Sequence, residues 1–169
     1  MYLTTKELVN VKPNEINQIG RYVSILHRSS QIALNHLLDL PGLTASNANL
    51  LLFIFDNGKV TAQDIADQQA INKGLVSREL NSLFKNGYIE KSVDKQDKRN
   101  IQITLTAKGV AAYQTVNSLM SKWWQQQFEA SGLTNQTRIY ADLQKLTTQI
   151  IGVPLQFHPI SNKNNVTKK

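Results

Sequence analysis

A chain of 169 residues that is 41% hydrophobic is long enough for one compact domain, or for two small ones that share elements. Lys and Arg outnumber Asp and Glu by 19 to 12, a formal net charge of +7, which fits an anionic partner even though Lys163, Lys168 and Lys169 supply part of the excess. The absence of cysteine excludes a disulfide framework, thiolate metal sites and a cysteine redox switch in this chain. The densest apolar run, Leu50 to Phe55, falls far short of the roughly 20 residues that cross a bilayer, and the first residues lack a charged-then-apolar leader, so a cytoplasmic protein with no membrane partner is expected.

Residues 1–12 are polar and read as a loose arm. Pro13 sits where a first helical turn tolerates it, and Ile16, Ile19, Val23, Leu26, Ser30, Ala33, Leu37 and Leu40 then recur at steps of three and four, which predicts one long helix. Its other side carries Tyr22, Ile25, Ile32 and His36, so the helix is apolar on more than one face, as expected if it packs on its own subunit and on a second one. Leu40-Pro41-Gly42 stops it, and Thr44 caps a central, nearly all-apolar helix from Ala45 to about Asp56, which Asn57-Gly58 ends. Val60 adds a minimal strand; Thr61 with Asp64 is a variant capping box that opens a helix from Ala62 to Gln69, with Ile65 and Ala66 inward.

Ala70-Ile71 turns directly into the next helix, a helix-turn-helix spacing. Asn72 caps that helix and Asn86-Gly87 stops it; Val76, Leu80, Leu83 and Phe84 form its apolar face. The opposite face carries Lys73, Gly74, Ser77, Arg78, Asn81 and Lys85, a cationic, hydrogen-bonding surface of the kind that reads base edges and phosphates. The period then changes to two in Tyr88 to Val93 and in Ile101 to Leu105, two strands joined by the polar loop DKQDKRN. Thr106 caps a second long helix to about Ala130, broadly apolar through Val110, Tyr113, Val116, Leu119, Trp123, Trp124 and Phe128. Ser131-Gly132 breaks it, Thr134 caps a last helix with Ile139, Leu143, Leu146 and Ile150 in register, and the end of the chain is polar.

The run DKQDKRNIQITLTAKG resembles the hallmark of the MarR family of winged-helix transcriptional regulators: Asp97, Lys98 and Arg99 at a wing tip, then Ile101, Ile103, Leu105, Thr106 and Gly109. Gly42-Leu43-Thr44, the run LFKNGYI and the order of elements are similar too, so the resemblance covers roughly Pro13 to Ile151. It implies a mainly α fold with a small β-hairpin wing, in which residues 44–106 form a winged helix-turn-helix, residues 13–43 and 107–151 a long-helix dimerisation region, and residues 1–12 and 153–169 loosely packed ends. It also implies a homodimer on a pseudo-palindromic double-stranded DNA operator, with half-sites about one helical turn apart. Arg99 would enter a minor groove, oriented by Asp97, with Lys95 and Lys98 beside it; many relatives have a second arginine where Lys98 stands, and a phosphate contact is expected of it. Gly74 departs from helix propensity but lets backbone approach DNA closely.

Many members of that family bind a small, often aromatic and anionic, effector and then lose DNA affinity, which implies a repressor released by a ligand. The residues facing such a pocket would be His27, Arg28, Gln31, Asn49, Phe53 and Tyr113. No Ser-His-Asp grouping, glycine-rich phosphate loop or paired carboxylates stand out, and His27, His36 and His158 are dispersed, so neither an enzyme, a cofactor nor a metal is expected. The alternative is a winged-helix module that uses the same surface on an acidic protein, without an effector or specific DNA binding.

Overall fold

The computed structural model of the chain describes residues 13–93 and 101–153. In order these form α1 (Pro13–Leu37), α2 (Ala45–Asn57), α3 (Ala62–Gln68), α4 (Lys73–Lys85), β1 (Ile89–Val93), β2 (Ile101–Leu105), α5 (Ala107–Ser131) and α6 (Gln136–Ile151). The fold is thus mainly α with a two-stranded antiparallel hairpin, Ile89 opposite Leu105 and Val93 opposite Ile101.

The core is built around α2, which packs on α1, α4, α5 and β2. A helix covered on several sides must be apolar on several sides, and Leu50, Leu51, Phe53 and Ile54 are all buried. Its start is fixed by reciprocal bonds: the Thr44 hydroxyl accepts from the Asn47 amide, and the Thr44 amide donates to Asn47 Oδ1 at 2.8 Å. Asn35 of α1 adds to that start by accepting the Ala45 amide at 2.7 Å. Thr61 and Asp64 form the same kind of box on α3, Thr61 N donating to Asp64 Oδ2 at 2.8 Å. The turn to α4 passes through Ala70 at φ 51°, a left-handed conformation that an alanine adopts at a cost of about 1 kcal/mol. Val60 does pair as a minimal strand, exchanging both amide bonds with Ile103 at 2.8 and 3.1 Å.

The winged lobe is locked to α5 at Tyr88. Its carbonyl accepts the Thr106 amide at 3.1 Å, and its buried phenol donates to the Pro41 carbonyl at 2.9 Å. Gly109 passes so close to that carbonyl that a Cβ there would overlap the Tyr88 oxygen, which is why the first turn of α5 has no side chain at this point.

Some boundaries and burials differ from the sequence expectation. The first helix ends at Leu37 rather than Leu40, because Leu40 precedes Pro41 and the proline ring disfavours helical backbone there. Asn135, not Thr134, caps α6, its side chain accepting the Arg138 amide at 3.0 Å. Phe84 is 49% exposed instead of buried, and Phe55, at the end of the apolar run of α2, is 39% exposed; each covers a neighbour from outside, as described below. The breadth of the apolar pattern on α1 agrees with the expectation, since apolar faces of α1 and α6 stay open in the single chain: Ile16, Ile19, Val23 and Leu26 are each about half exposed, and Ile150 is 72% exposed.

Candidate nucleic-acid interface

Helix α4 presents its surface because its buried residues, Val76, Leu80 and Leu83, recur on one side. That periodicity turns Lys73, Ser77, Asn81 and Lys85, at steps of four, together with Gly74 and Arg78, to the exposed side. The start of the helix is rigidified by Asn72, whose side-chain oxygen accepts the Gly74 amide at 2.8 Å. Arg78 pairs with its neighbour Glu79 at 3.2 Å, yet its side chain is 76% exposed and so loosely held. All six side-chain or backbone positions singled out on this helix are therefore gathered on one accessible face.

The wing is strapped to that face through a residue the sequence reading passed over. Lys91 of β1 donates from Nζ to Asn81 Oδ1 at 2.8 Å, and the same ammonium lies 5.1 Å from the centre of the Phe84 ring. The exposed ring of Phe84 thus serves as a platform for the strap. A signal existed in the period of two, since Lys91 shares a strand face with buried Ile89 and stands opposite buried Ile103. Between helix and hairpin lies a shallow cleft lined by Ser77, Leu80, Asn81, Lys91 and Ile101. The wing-tip residues Lys95, Asp97, Lys98 and Arg99 lie outside the described residues.

The residues expected to face an effector separate into groups. Asn49 and Phe53 of α2 and Tyr113 of α5 line one cavity of about 230 Å³, joined by Leu52, Asp56 and Asn117. Arg28 lines a different groove, on the surface of α1 with Asn17, Arg21 and Ser24, and His27 and Gln31 line neither. Tyr113 is buried and stacked flat against Phe55, ring centres 3.7 Å apart and planes 10° from parallel. Burial, and secondarily the Asp56 carboxylate, push its phenol above the ordinary range. Among the described residues no group of three His, Asp or Glu side chains is placed to hold a metal ion, and no helix is long and apolar enough to cross a membrane.

A model of the MarR family matches residues 42–100, from the loop before α2 to the hairpin loop. The multiple antibiotic resistance protein MarR of Salmonella typhimurium is 29% identical over 98 residues, 58% of this chain and 68% of that protein. Among solved structures, a mutant MarR of E. coli complexed with operator DNA superposes with a TM-score of 0.64 at 24% identity, covering 81% of this chain and 96% of that one. BpsR of Bordetella bronchiseptica, in a structure concerned with regulation of its DNA binding by 6-hydroxynicotinic acid, gives a TM-score of 0.63 at 21% identity, covering 79% of this chain and 98% of that one. At those identities the two structures establish the shared fold.

Proposed function

We propose, for a chain that belongs to the MarR family of DNA-binding winged helix-turn-helix transcriptional regulators, that it acts as a homodimeric repressor which binds a pseudo-palindromic operator and is released by a small molecule. The observation that carries this reading is the exposed, acid-poor face of α4, with Lys73, Arg78 and Lys85 around Ser77 and Asn81 and the wing strapped beside it. In this reading α4 lies in the major groove, where Arg78 and Asn81 reach base edges and Lys73 and Ser77 reach phosphates, while the Gly74 backbone approaches the duplex. Arg99 enters the adjacent minor groove, held by Asp97, with Lys95 and Lys98 on the phosphates.

The homodimer is supported by the apolar faces that one chain leaves uncovered on α1 and α6, including Ile19, Val23, Leu143 and Leu146. Exposed apolar faces of that kind are what a subunit interface covers. Residues 13–43 and 107–151 then form the dimerisation region, and residues 44–106 the DNA-binding lobe. Light scattering reads the first claim as twice the mass of one chain.

Binding to a duplex carrying the operator, titrated against salt, tests the second. A steep slope of about 0.9 per neutralised phosphate is expected, with Arg99→Ala weakening binding by roughly 1 to 3 kcal/mol and leaving the melting point in place. Binding that is absent or indifferent to salt would instead favour a winged-helix module that docks on protein, and an unchanged isotherm for Arg99→Ala would remove the wing tip from the mechanism.

A further inference from the structure

The strap between wing and helix also decides what Asn81 can offer to a base. An ammonium group only donates hydrogen bonds, so the end of the Asn81 amide that meets Lys91 Nζ at 2.8 Å is its carbonyl oxygen, Oδ1. The amide is planar, and with its oxygen directed at β1 its nitrogen, Nδ2, is the end turned away from the hairpin. Lys91 is held in place twice, because its ammonium also lies 5.1 Å from the centre of the Phe84 ring, one helical turn from Asn81 on α4. Leu80, Ile101 and Ile103 line the same cleft, so on that side the bond stands against an apolar floor instead of open water.

We infer that Lys91 is a specificity-determining residue: by engaging Oδ1 it makes Asn81 a donor only, and so turns the base that Asn81 reads from adenine to guanine. The inference rests on the reading of α4 as the helix in the major groove. An unconstrained asparagine pairs with adenine by presenting both ends of its amide to one base, Oδ1 accepting from the N6 amino group and Nδ2 donating to N7. Here Oδ1 is already engaged by Lys91. An adenine amino group brought to it would meet the ammonium, two donors of like polarity side by side. Guanine instead shows two acceptors in the major groove, O6 and N7, and no donor. The Nδ2 hydrogens match either one, and the positive charge beside the amide favours both. Thymine O4 is a single acceptor with the adenine amino group next to it in the same pair, a poorer match. The positioning residue thus sits on β1, away from the base, and acts through a side chain of α4.

Selection of binding sites by the full chain from a library of random double-stranded DNA, read by sequencing, tests the inference. The base pair that Asn81 reads is the one whose preference disappears in Asn81→Ala. At that pair the unaltered protein is expected to favour guanine over adenine by about tenfold. Lys91→Arg, which keeps a cation and a donor, should retain the preference, whereas Lys91→Met should lower the guanine-to-adenine ratio about tenfold. A strap that only supports the fold would weaken binding to every sequence alike and leave that ratio unmoved. Thermal melts of the variants establish that they are folded. Adenine favoured by the unaltered protein at that pair, a ratio unchanged to within about twofold in Lys91→Met, or an Asn81→Ala variant that selects the same sequence as the unaltered protein would each overturn the inference. A library from which no sequence is enriched would refute operator binding and the inference with it, whereas enrichment accompanied by any of those results refutes the inference alone.

Discussion

Asn47 is a polar side chain in the core, 1% exposed, and it ties the start of α2 to the loop after α1 and approaches α4. Its Oδ1 accepts the Thr44 amide at 2.8 Å and its Nδ2 donates to the Gly42 carbonyl at 3.0 Å; the approach to Ser82 Oγ of α4, at 3.5 Å, is at the limit of a hydrogen bond and contributes little. Asn47→Ala removes both good bonds, each about 1 kcal/mol net, the one to the Thr44 amide being its half of the capping box. Thr44 and Gly42 are themselves exposed, so water replaces part of what is lost and the penalties for buried unpaired groups do not apply in full. The expected cost is therefore about 1 to 2 kcal/mol, read as the shift in urea unfolding at fixed protein concentration. Asn47→Asp should cost about as much despite its fit, because a carboxylate oxygen would then face the Gly42 carbonyl where a donor is needed. A loss below about 0.5 kcal/mol for the alanine variant would refute the reasoning, and so would strong coupling with Ser82→Ala in a double-mutant cycle, since a bond at the limit of reach should leave the two changes additive to within about 0.5 kcal/mol.

Gly109→Ala places a methyl group against the Tyr88 backbone carbonyl, and should destabilise by about 1 to 3 kcal/mol, lowering the melting temperature by roughly 2 to 4 °C per kcal/mol; an unshifted melt would mean that α5 can retreat freely. Ala70→Gly relieves the left-handed turn at φ 51°, and because the glycine also gains freedom when unfolded the net stabilisation should be about 0.5 kcal/mol; a destabilised variant would show that the turn is not strained. Lys91→Met keeps the stem over Phe84 but deletes the bond to Asn81, so duplex affinity should fall roughly three- to tenfold with no change in salt slope; a slope reduced by about 0.9 would make Lys91 a phosphate contact instead of a strap.

What could be read from the sequence followed the strength of local rules. The helix-turn-helix was legible because each of its helices has a polar cap, an apolar period and a stop, and Thr44, Thr61, Asn72 and Thr106 all cap where expected. Asn47 was not legible, because the box pattern calls for Glu or Gln three residues after the cap and a shorter amide there reads as an ordinary polar residue. Phe84 was misjudged for the opposite reason. Apolarity alone assigned it inward, whereas its ring lies outside and supports a lysine, much as Phe55 stacks on Tyr113 from outside. The cavity was half legible: helix position placed Asn49, Phe53 and Tyr113 together, and the same spacing along α2 adds Asp56, but Gln69 joins them through the place where α3 ends, which no linear pattern encodes.

The breadth of the apolar pattern on α1 becomes informative once the single chain is seen to leave it open. Leu34 is buried on the same helix whose Ile16, Ile19, Val23, Leu26 and Leu37 remain about half exposed, and Leu143, Leu146 and Ile150 of α6 are similarly open. Half an aliphatic side chain left in water forgoes about 1 kcal/mol. Over these positions the unrealised stabilisation is roughly 8 kcal/mol per chain, which is comparable with the 5 to 15 kcal/mol that usually holds a whole domain together. A solitary chain would thus carry, outside its core, about as much unused apolar surface as its entire margin of stability. The buried core around α2 is complete without those residues, so they are not needed to fold the winged lobe. In the proposed homodimer they hold the lobe against a second one at a set distance, the geometry that two half-sites on a duplex require.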